Sequence, residues 1–300
     1  MNSFQQLALI GSTASGKTAL SIKVAQKINA HILSLDSLAI YKEIDIVSAK
    51  PTVQEREGIE HFGIDHLYPD QPFDVTTFIS LYQEVVSRCQ KEKKNLIIVG
   101  GTGFYLKMLL EGISSLPPLT AQSRTKTDEA MRDLSSAYHM LKSVDPQYMA
   151  AITPTDRYRI EKALLIYFET GMTPGIYFKE HPPIPAITEP LPIYQILWQK
   201  DILRRRIALR TEQMLQSSLI DEICYLEKKY TRAPNCMGAI GIKETLEYLD
   251  GKYSKEKLKE KITTNTARLA KRQTTFNNSQ FKNVIQGSLK ALEEKLLCMR

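Results

Sequence analysis

The sequence predicts an α/β protein with a parallel sheet, interrupted by a helical insert and followed by a helical C-terminal part. Short apolar runs alternate with amphipathic segments in the first hundred residues, which is typical of strand–helix–strand units. Two proline-rich breaks, at residues 116–118 and 181–192, enclose a segment without this alternation. The composition, 43% hydrophobic and 24% charged over 300 residues, is that of a folded globular chain.

The N-terminal part alternates predicted strands and helices. Residues 7–10 form a short apolar run, and residues 18–28 carry apolar side chains at helical spacing. Two further runs, residues 32–35 and 96–99, predict strands, and the amphipathic segment 73–93 predicts a crossover helix. Strands joined through helices pair in parallel, so a parallel sheet follows.

Polar and glycine residues follow the predicted strands. Asp36 and Ser37 come after the second strand, and residues 100–103, Gly-Gly-Thr-Gly, come after the third. Ligands of open α/β sheets bind beyond the carboxyl ends of the strands. We therefore expect these residues to lie on the ligand-binding edge of the sheet.

Residues 116–191 form the predicted insert. Its borders are rich in proline, and residues 131–144 and 155–170 inside it have the pattern of helices. Residues 1–115 and 192–300 are then two parts of one core, interrupted by a mainly helical subdomain.

The C-terminal part resumes with a predicted strand at residues 193–198, and helices are predicted at residues 201–230, 243–249 and 254–276. Residues 200–282 hold eighteen Lys and Arg against ten Asp and Glu, whereas the rest of the chain is close to neutral. A basic half indicates a polyanionic partner such as nucleic acid, although an exposed lysine-rich helix is often only a solvated surface.

The most specific motif is a phosphate loop. Residues 11–18 match Gly-x-x-x-x-Gly-Lys-Ser/Thr between a predicted strand and a predicted helix. Its backbone N–H groups turn towards phosphate oxygens, Lys17 adds a positive charge, and the Thr18 hydroxyl is a ligand for Mg²⁺. The core is therefore predicted to be phosphate-loop NTPase-like. The residues expected to bind phosphate are Gly11, Ser12, Thr13, Ala14, Ser15, Gly16, Lys17 and Thr18.

Asp36 is the candidate carboxylate beside this loop. A phosphate-loop ATPase or GTPase normally has a further strand that ends in an aspartate near Mg²⁺. Here the strand at residues 96–99 ends in glycines, and Asp36 is the strand-end carboxylate nearest the loop in sequence. Its position leaves three interpretations open: a metal ligand, a proton acceptor, or a cap for the following turn.

Two groups of basic residues lie at helical spacing. Arg206 and Arg210 are four residues apart, so both guanidinium groups project from one helix face and can clamp a diphosphate. Arg268, Lys271 and Arg272 form a second stripe that suits contacts with a nucleic-acid backbone. On spacing alone, a solvated basic helix is the alternative for the pair Arg206 and Arg210.

With these residues identified, the chain resembles the tRNA dimethylallyltransferases, or tRNA isopentenyltransferases, over nearly its full length. The matching motifs occur in the order found in that family. They are residues 11–18, 36–37 with Tyr41, 48–52, 99–106, Asp156 with Arg159, 170–171, 206–207 with Arg210, 239–244 and 270–273.

The resemblance implies an activity and its partners. In this family the phosphate loop holds the diphosphate of dimethylallyl diphosphate, and the prenyl group passes to N6 of the adenosine immediately 3′ of the anticodon. The products are N6-dimethylallyladenosine and diphosphate. The implied partners are dimethylallyl diphosphate and the tRNA anticodon stem-loop, which the insert binds. Mg²⁺ is the implied cofactor, and the enzyme is expected to be a monomer.

The resemblance also assigns roles to residues. Asp36 would be the general base, because the exocyclic amine of adenine must lose a proton as it attacks C1. Thr102 and Arg206 complete the implied catalytic set, and Arg210 joins the phosphate loop in binding the diphosphate, with Mg²⁺ on Thr18. The residues implied to contact tRNA are Ser37, Lys50, Asp156, Arg159, Arg268, Lys271 and Arg272.

The chain departs from the family pattern in a few positions. Ala39 stands where glutamine is usual, Lys162 and Ala267 where arginine is usual, and Phe276-Asn277 where a Trp-Phe pair is usual. Activity is still expected, because the implied catalytic residues are all present. The departures bear on contacts with the anticodon loop.

Two other functions fit part of the sequence. A phosphate-loop kinase of a nucleoside or small metabolite would share the loop but would need a nucleotide-base pocket and usually an arginine-rich lid. A non-catalytic RNA-binding module would explain the basic half but not a complete phosphate site. No run of membrane-spanning length and no signal-like start is present, so no membrane association and a cytoplasmic location are expected.

Overall fold

The computed structural model describes residues 4–298, which form a six-stranded parallel sheet with helices around it. The strands lie in the order β3-β2-β4-β1-β5-β6, and every neighbouring pair is parallel. The predicted α/β class is confirmed. The strands are β1 (Gln6–Gly11), β2 (Ala30–Ser34), β3 (His61–Phe62), β4 (Asn95–Gly100), β5 (Ile193–Ile196) and β6 (Ile285–Gly287).

The register of the sheet brings the predicted ligand-binding residues to one edge. Ile10 of β1 pairs with Gly100 of β4, and Ser34 of β2 pairs with Val99 of β4. The carboxyl ends of these three strands are therefore level. Asp36, two residues after β2, lies at the same edge as the residues that follow β1 and β4.

Three helices belong to the N-terminal part. They are α1 (Lys17–Ile28), α2 (Val75–Glu92) and α3 (Gly103–Glu111). Helix α1 joins β1 to β2, α2 joins β3 to β4, and α3 leads from β4 into residues 111–186. The apolar side of α1, which includes Leu20 and Val24, packs in one cluster with Leu9, Ile32 and Ile97 of the central strands. This burial fixes the first turn of α1 directly above the end of β1.

Residues 111–186 form a separate compact unit, and residues 4–110 and 187–298 form the other. Each boundary lies five residues before the one expected from the prolines. The insert unit has its own apolar core, to which Leu141, Met149 and Leu164 contribute. Its helices are α4 (Ala121–Ala130), α5 (Leu134–Val144), α6 (Pro146–Met149), α7 (Arg157–Thr170) and α8 (Pro174–Glu180).

The C-terminal helices differ in detail from the prediction. The single helix expected at residues 201–230 is two helices, because Ser218 adopts a left-handed conformation with φ of 66° that interrupts the chain direction. The short strands β3 and β6 and the last helix were not predicted. These helices are α9 (Lys200–Gln216), α10 (Leu219–Tyr230), α11 (Ile242–Leu249), α12 (Lys255–Gln280) and α13 (Leu289–Leu297), with a 3₁₀ turn at Asn235–Gly238. Within residues 4–298, every helix is too short or too polar to cross a membrane.

Candidate active site

The phosphate loop connects β1 to α1. Gly16, with φ of 91°, and Ala14, with φ of 60°, are left-handed, so the backbone curls back before Lys17 begins the helix. In the described structure, no side chain caps the N-terminus of α1. Its first N–H groups and the positive end of the helix dipole are therefore available to an anion.

Lys17 lies inside this loop. Its Nζ donates hydrogen bonds to the Ser12 carbonyl (2.6 Å) and the Ser15 Oγ (3.3 Å). The pKa of Lys17 is lowered to about 7, chiefly by burial and also by the nearby Arg210, while the Asp36 carboxylate partly opposes both effects. The site thus holds a lysine whose charged form needs an anion to stabilise it.

Diphosphate binding should therefore take up a proton at pH values above the Lys17 pKa of about 7. Free Lys17 is mostly neutral there, and the negative charge of diphosphate raises its pKa, so the complex holds the extra proton. Affinity for inorganic diphosphate should fall as the pH rises from 7 to 9. Calorimetric titration in buffers of different ionisation enthalpy measures the proton uptake.

Lys17→Arg is the control for this titration, because arginine stays charged over the whole range. Any uptake left in the variant belongs to diphosphate itself. Equal proton uptake in the wild type and in Lys17→Arg would show that Lys17 is already charged in the free protein.

Two arginines of α9 reach the phosphate loop. The Arg206 Nε donates to the Ala14 carbonyl at 2.7 Å, and its guanidinium lies over the Trp198 ring. The Arg210 Nη1 donates to the Thr13 Oγ1 at 3.3 Å, and burial lowers the pKa of Arg210. The i, i+4 pair predicted from the sequence therefore does converge on the loop.

These basic groups share one property. The hydrogen bonds from Lys17, Arg206 and Arg210 go to neutral carbonyl and hydroxyl oxygens. Partly buried cations with neutral partners are electrostatically unsatisfied, and each is stabilised when an anion binds. The arrangement fits a multiply charged anion such as a diphosphate.

Asp36 faces the same cavity. Its Oδ1 accepts hydrogen bonds from the Leu38 N–H (2.8 Å) and the Ala39 N–H (3.1 Å). The turn-capping interpretation is thus observed for one oxygen. No hydrogen bond to the Asp36 Oδ2 is found within residues 4–298, so this oxygen remains available to accept a proton or to contact a metal.

The glycines after β4 allow close packing on both sides. A Cβ on Gly100 would lie 2.6 Å from the Leu35 Cβ, and a Cβ on Gly101 would collide with the Gln273 side chain. The glycine pair therefore lets the end of β4 pack directly against Leu35 on one side and against Gln273 of α12 on the other. Thr102 follows this pair at the start of α3 and lies outside the residues that line the cavity.

Gln273 is a site residue that the sequence reasoning did not assign. Its Oε1 accepts a hydrogen bond from the Thr13 N–H at 2.9 Å, which fixes the orientation of the amide. The Nε2 lies against Gly101 on the cavity wall, and no hydrogen bond from it is found within residues 4–298. The only signal in the sequence was its place in the matched motif at residues 270–273.

One turn later on α12, Asn277 is buried against Gly103, and its two amide atoms lack hydrogen-bond partners within residues 4–298.

These groups surround a cavity of about 680 Å³. It extends from the phosphate loop past Asp36 and the glycine pair to α9 and α12, and residues 48–51 form part of its wall.

Thr18 is exposed at the edge of this cavity, in the first turn of α1. Residues 4–298 hold no cluster of three or more acidic, His or Cys side chains for a metal. The Thr18 hydroxyl and the Asp36 Oδ2 nevertheless suit Mg²⁺, which is usually held by few protein oxygens together with substrate phosphates and water.

The residues expected to contact tRNA lie in different settings. Ser37 and the stripe of Arg268, Lys271 and Arg272 on α12 are exposed, as a nucleic-acid contact requires. Lys50 is not: its side chain is only 5% exposed, it forms ion pairs with Asp45 and Asp65, and it donates to the Tyr41 carbonyl. Its ammonium group is thus already neutralised inside the core unit.

In the insert unit, Asp156 and Arg159 form one local structure. Asp156 caps α7, because its Oδ1 accepts from the Arg159 N–H at 3.1 Å. Its Oδ2 lies 3.4 Å from the Arg159 Nε. Arg159 is exposed, and a tRNA contact by this pair stays a prediction.

The fold and the site define a phosphate-loop protein whose unsatisfied basic groups share one cavity with the Asp36 carboxylate. Residues 39–280 match the IPP transferase family, and the chain belongs to that family. It is 65% identical to the tRNA dimethylallyltransferase of Sulfurovum sp. (strain NBC37-1) over 98% of this chain and 97% of that protein. It is 41% identical to the tRNA dimethylallyltransferase of Helicobacter pylori, over 97% and 93% respectively.

Solved structures agree with this assignment. The tRNA isopentenylpyrophosphate transferase of Bacillus halodurans superposes with a TM-score of 0.71 at 27% identity, covering 98% of this chain and 95% of that one. A eukaryotic dimethylallyltransferase acting on tRNA superposes with a TM-score of 0.83 at 26% identity, covering 96% of this chain and 75% of that one.

Proposed function

We propose that this protein transfers a dimethylallyl group from dimethylallyl diphosphate to N6 of the adenosine immediately 3′ of the anticodon in tRNA. The observation that carries the proposal is the meeting, in one cavity, of an electrostatically unsatisfied phosphate loop and the free Oδ2 of Asp36. The names of the relatives support tRNA as the acceptor. Because tRNA is the proposed substrate, we place the enzyme in the cytoplasm; its monomeric state stays a prediction.

The diphosphate is proposed to sit on the phosphate loop. The N–H groups at the start of α1 and the ammonium of Lys17 contact its oxygens, and Arg206 and Arg210 approach from α9. As the C1–O bond breaks, negative charge grows on the leaving diphosphate. Donors and cations held around the loop would stabilise this transition state more than the ground state.

The acceptor amine is proposed to lose its proton to Asp36. The adenine N6 lone pair is delocalised into the ring, so its attack on C1 becomes favourable only as a proton leaves. The bond from N6 to C1 forms, the bond from C1 to the diphosphate oxygen breaks, and the N6 proton passes to the Asp36 Oδ2. The adenosine must leave its stack in the RNA to reach this cavity.

Mg²⁺ would be held by the Thr18 hydroxyl and by diphosphate oxygens, with Asp36 nearby. Bound there, the ion would neutralise charge on the leaving diphosphate. Thr102 directly precedes α3 beside the glycine pair, and its part in catalysis stays a prediction.

Label transfer tests the proposed function against the kinase alternative. The protein is incubated with tRNA lacking the modification and dimethylallyl diphosphate labelled in the prenyl group, and in parallel with nucleosides and γ-labelled ATP. We expect label in tRNA only from the prenyl donor. Phosphoryl transfer from ATP without prenyl transfer would overturn the proposal.

Gln273→Glu should weaken binding of inorganic diphosphate by about 10- to 100-fold, the scale for losing a charge-assisted hydrogen bond. The glutamate retains an acceptor for the Thr13 N–H, but it replaces the cavity-facing donor by an anionic oxygen. Calorimetric titration gives the affinity. The control is Lys271→Gln, an exposed neighbour on α12, which should bind diphosphate normally. Unchanged affinity in Gln273→Glu would remove Gln273 from the diphosphate site.

A further inference from the structure

Residues 43–49 form a loop whose first and last residues adopt an unfavourable backbone conformation. It begins at Glu43, with φ of 65°, and ends at Ala49, with φ of 47°. Residues with a Cβ rarely adopt the left-handed conformation, and they retain it where surrounding contacts hold the chain in place. The far end of this loop belongs to the cavity wall, so the contacts that hold the loop also position that wall.

Glu222 of α10 binds the middle of the loop. Its Oε2 accepts hydrogen bonds from the Asp45 N–H (2.9 Å) and the Ile46 N–H (2.7 Å), and its Oε1 accepts from the Val47 N–H (3.0 Å). One carboxylate thus satisfies three consecutive backbone donors. Hydrogen bonds to a charged acceptor are about twice as strong as neutral ones, so this carboxylate is a strong anchor.

The same helix binds the beginning of the loop. The Lys229 Nζ and the Tyr230 hydroxyl donate to the two carboxylate oxygens of Glu43, at 2.6 and 2.7 Å. In addition, the Val47 side chain packs directly on the Cα of Gly241, where no Cβ could fit. The position of the loop is therefore fixed by α10 and by the turn before α11.

The end of the loop touches the diphosphate site. The Ser48 carbonyl accepts a hydrogen bond from the Arg210 Nη2 at 3.3 Å, while the Arg210 Nη1 donates to the Thr13 Oγ1. The Ser48 Oγ donates a hydrogen bond to the Ile44 carbonyl at 2.6 Å. This bond ties Ser48 to the anchored part of the loop. A continuous set of bonds thus runs from Glu222 through the loop to Arg210.

We propose that Glu222 is a positioning residue for Arg210. It holds residues 45–47 of the loop in place, the loop presents the Ser48 carbonyl, and this carbonyl aims the Arg210 guanidinium at the diphosphate. The role in catalysis rests on the proposed prenyl transfer. The role in anion binding depends only on the phosphate site.

The test compares Glu222→Gln with Asp221→Asn, which makes the same charge change at an exposed neighbour on α10. Glu222→Gln loses the anionic acceptor and turns an amide N–H₂ group towards backbone donors. We expect its affinity for inorganic diphosphate to fall roughly tenfold, corresponding to one lost charged hydrogen bond, while Asp221→Asn keeps the wild-type value. Single-turnover prenyl transfer should fall by a similar factor, with KM for tRNA unchanged.

A double-mutant cycle separates positioning from general destabilisation. In an Arg210→Ala background, Glu222→Gln should cause no further loss of diphosphate affinity, because its effect passes through Arg210. Equal losses in both backgrounds would overturn the proposal, as would unchanged affinity in the single variant. If Glu222→Gln fails to fold, Glu222→Asp replaces it in the same cycle, with a smaller expected loss that must also vanish without Arg210. If the wild-type protein transfers no prenyl group, the proposed function is refuted. The double-mutant cycle still tests the role of Glu222, because it measures only the affinity for inorganic diphosphate.

Discussion

Asp36→Asn is expected to reduce the single-turnover rate of prenyl transfer by about 10²- to 10⁴-fold, the usual scale for losing a general base. The structure makes this substitution unusually informative. The Oδ1 of Asp36 caps the turn at Leu38 and Ala39, and an asparagine can keep this oxygen in place. Only the free Oδ2 is replaced by an N–H₂ group, which cannot accept the N6 proton.

Asp36→Ala serves as the comparison, because it removes both the base and the turn cap. It should lose the same rate and also some stability, whereas Asp36→Asn should unfold at nearly the wild-type temperature. Both variants should bind tRNA nearly normally by filter binding. Near-normal turnover in Asp36→Asn would mean that the carboxylate serves the turn and that another group takes the proton.

Arg210→Ala is expected to lower the rate of transfer by about 10²- to 10³-fold, the scale for removing one preorganised donor to a developing negative charge. Arg210 contacts the phosphate loop through Thr13 and lies close enough to Asp36 for the carboxylate to affect its pKa. In the proposed reaction its charge therefore acts where the diphosphate leaves. Single-turnover kinetics and tRNA binding are measured on the same preparation.

The matched control is Arg205→Ala, an exposed arginine on the same helix. It should leave the chemical step unchanged and reduce RNA affinity slightly at most, in a salt-dependent way. A uniform loss of RNA affinity in Arg210→Ala, with unchanged single-turnover chemistry, would make Arg210 a backbone contact instead of a diphosphate ligand.

Local patterns predicted much of this site from the sequence. The phosphate loop is continuous in the chain, Asp36 ends an apolar run, and Arg206 and Arg210 need only a helix to share a face. Each feature depends on a few neighbouring residues and on the edge rule for parallel sheets. Secondary structure alone was therefore enough to bring them together.

Contacts between distant segments were not predictable in this way. Gln273 reaches Thr13 across 260 residues, and Glu222 reaches the loop at Ile46 across 176. Lys50 was expected to face RNA, but the fold places Asp45 and Asp65 around it, and no local pattern encodes that burial. The strands β3 and β6 have only two and three residues, too few to give a periodicity.

The most direct test of the central claim is mass spectrometry of nucleosides and fragments from tRNA that the purified protein has treated with dimethylallyl diphosphate and Mg²⁺. We predict N6-dimethylallyladenosine in the fragment that holds the adenosine 3′ of the anticodon, and none after treatment with Asp36→Asn for the same time. Unmodified tRNA from the folded wild-type protein, or a prenyl group at another atom or nucleotide, would contradict the account.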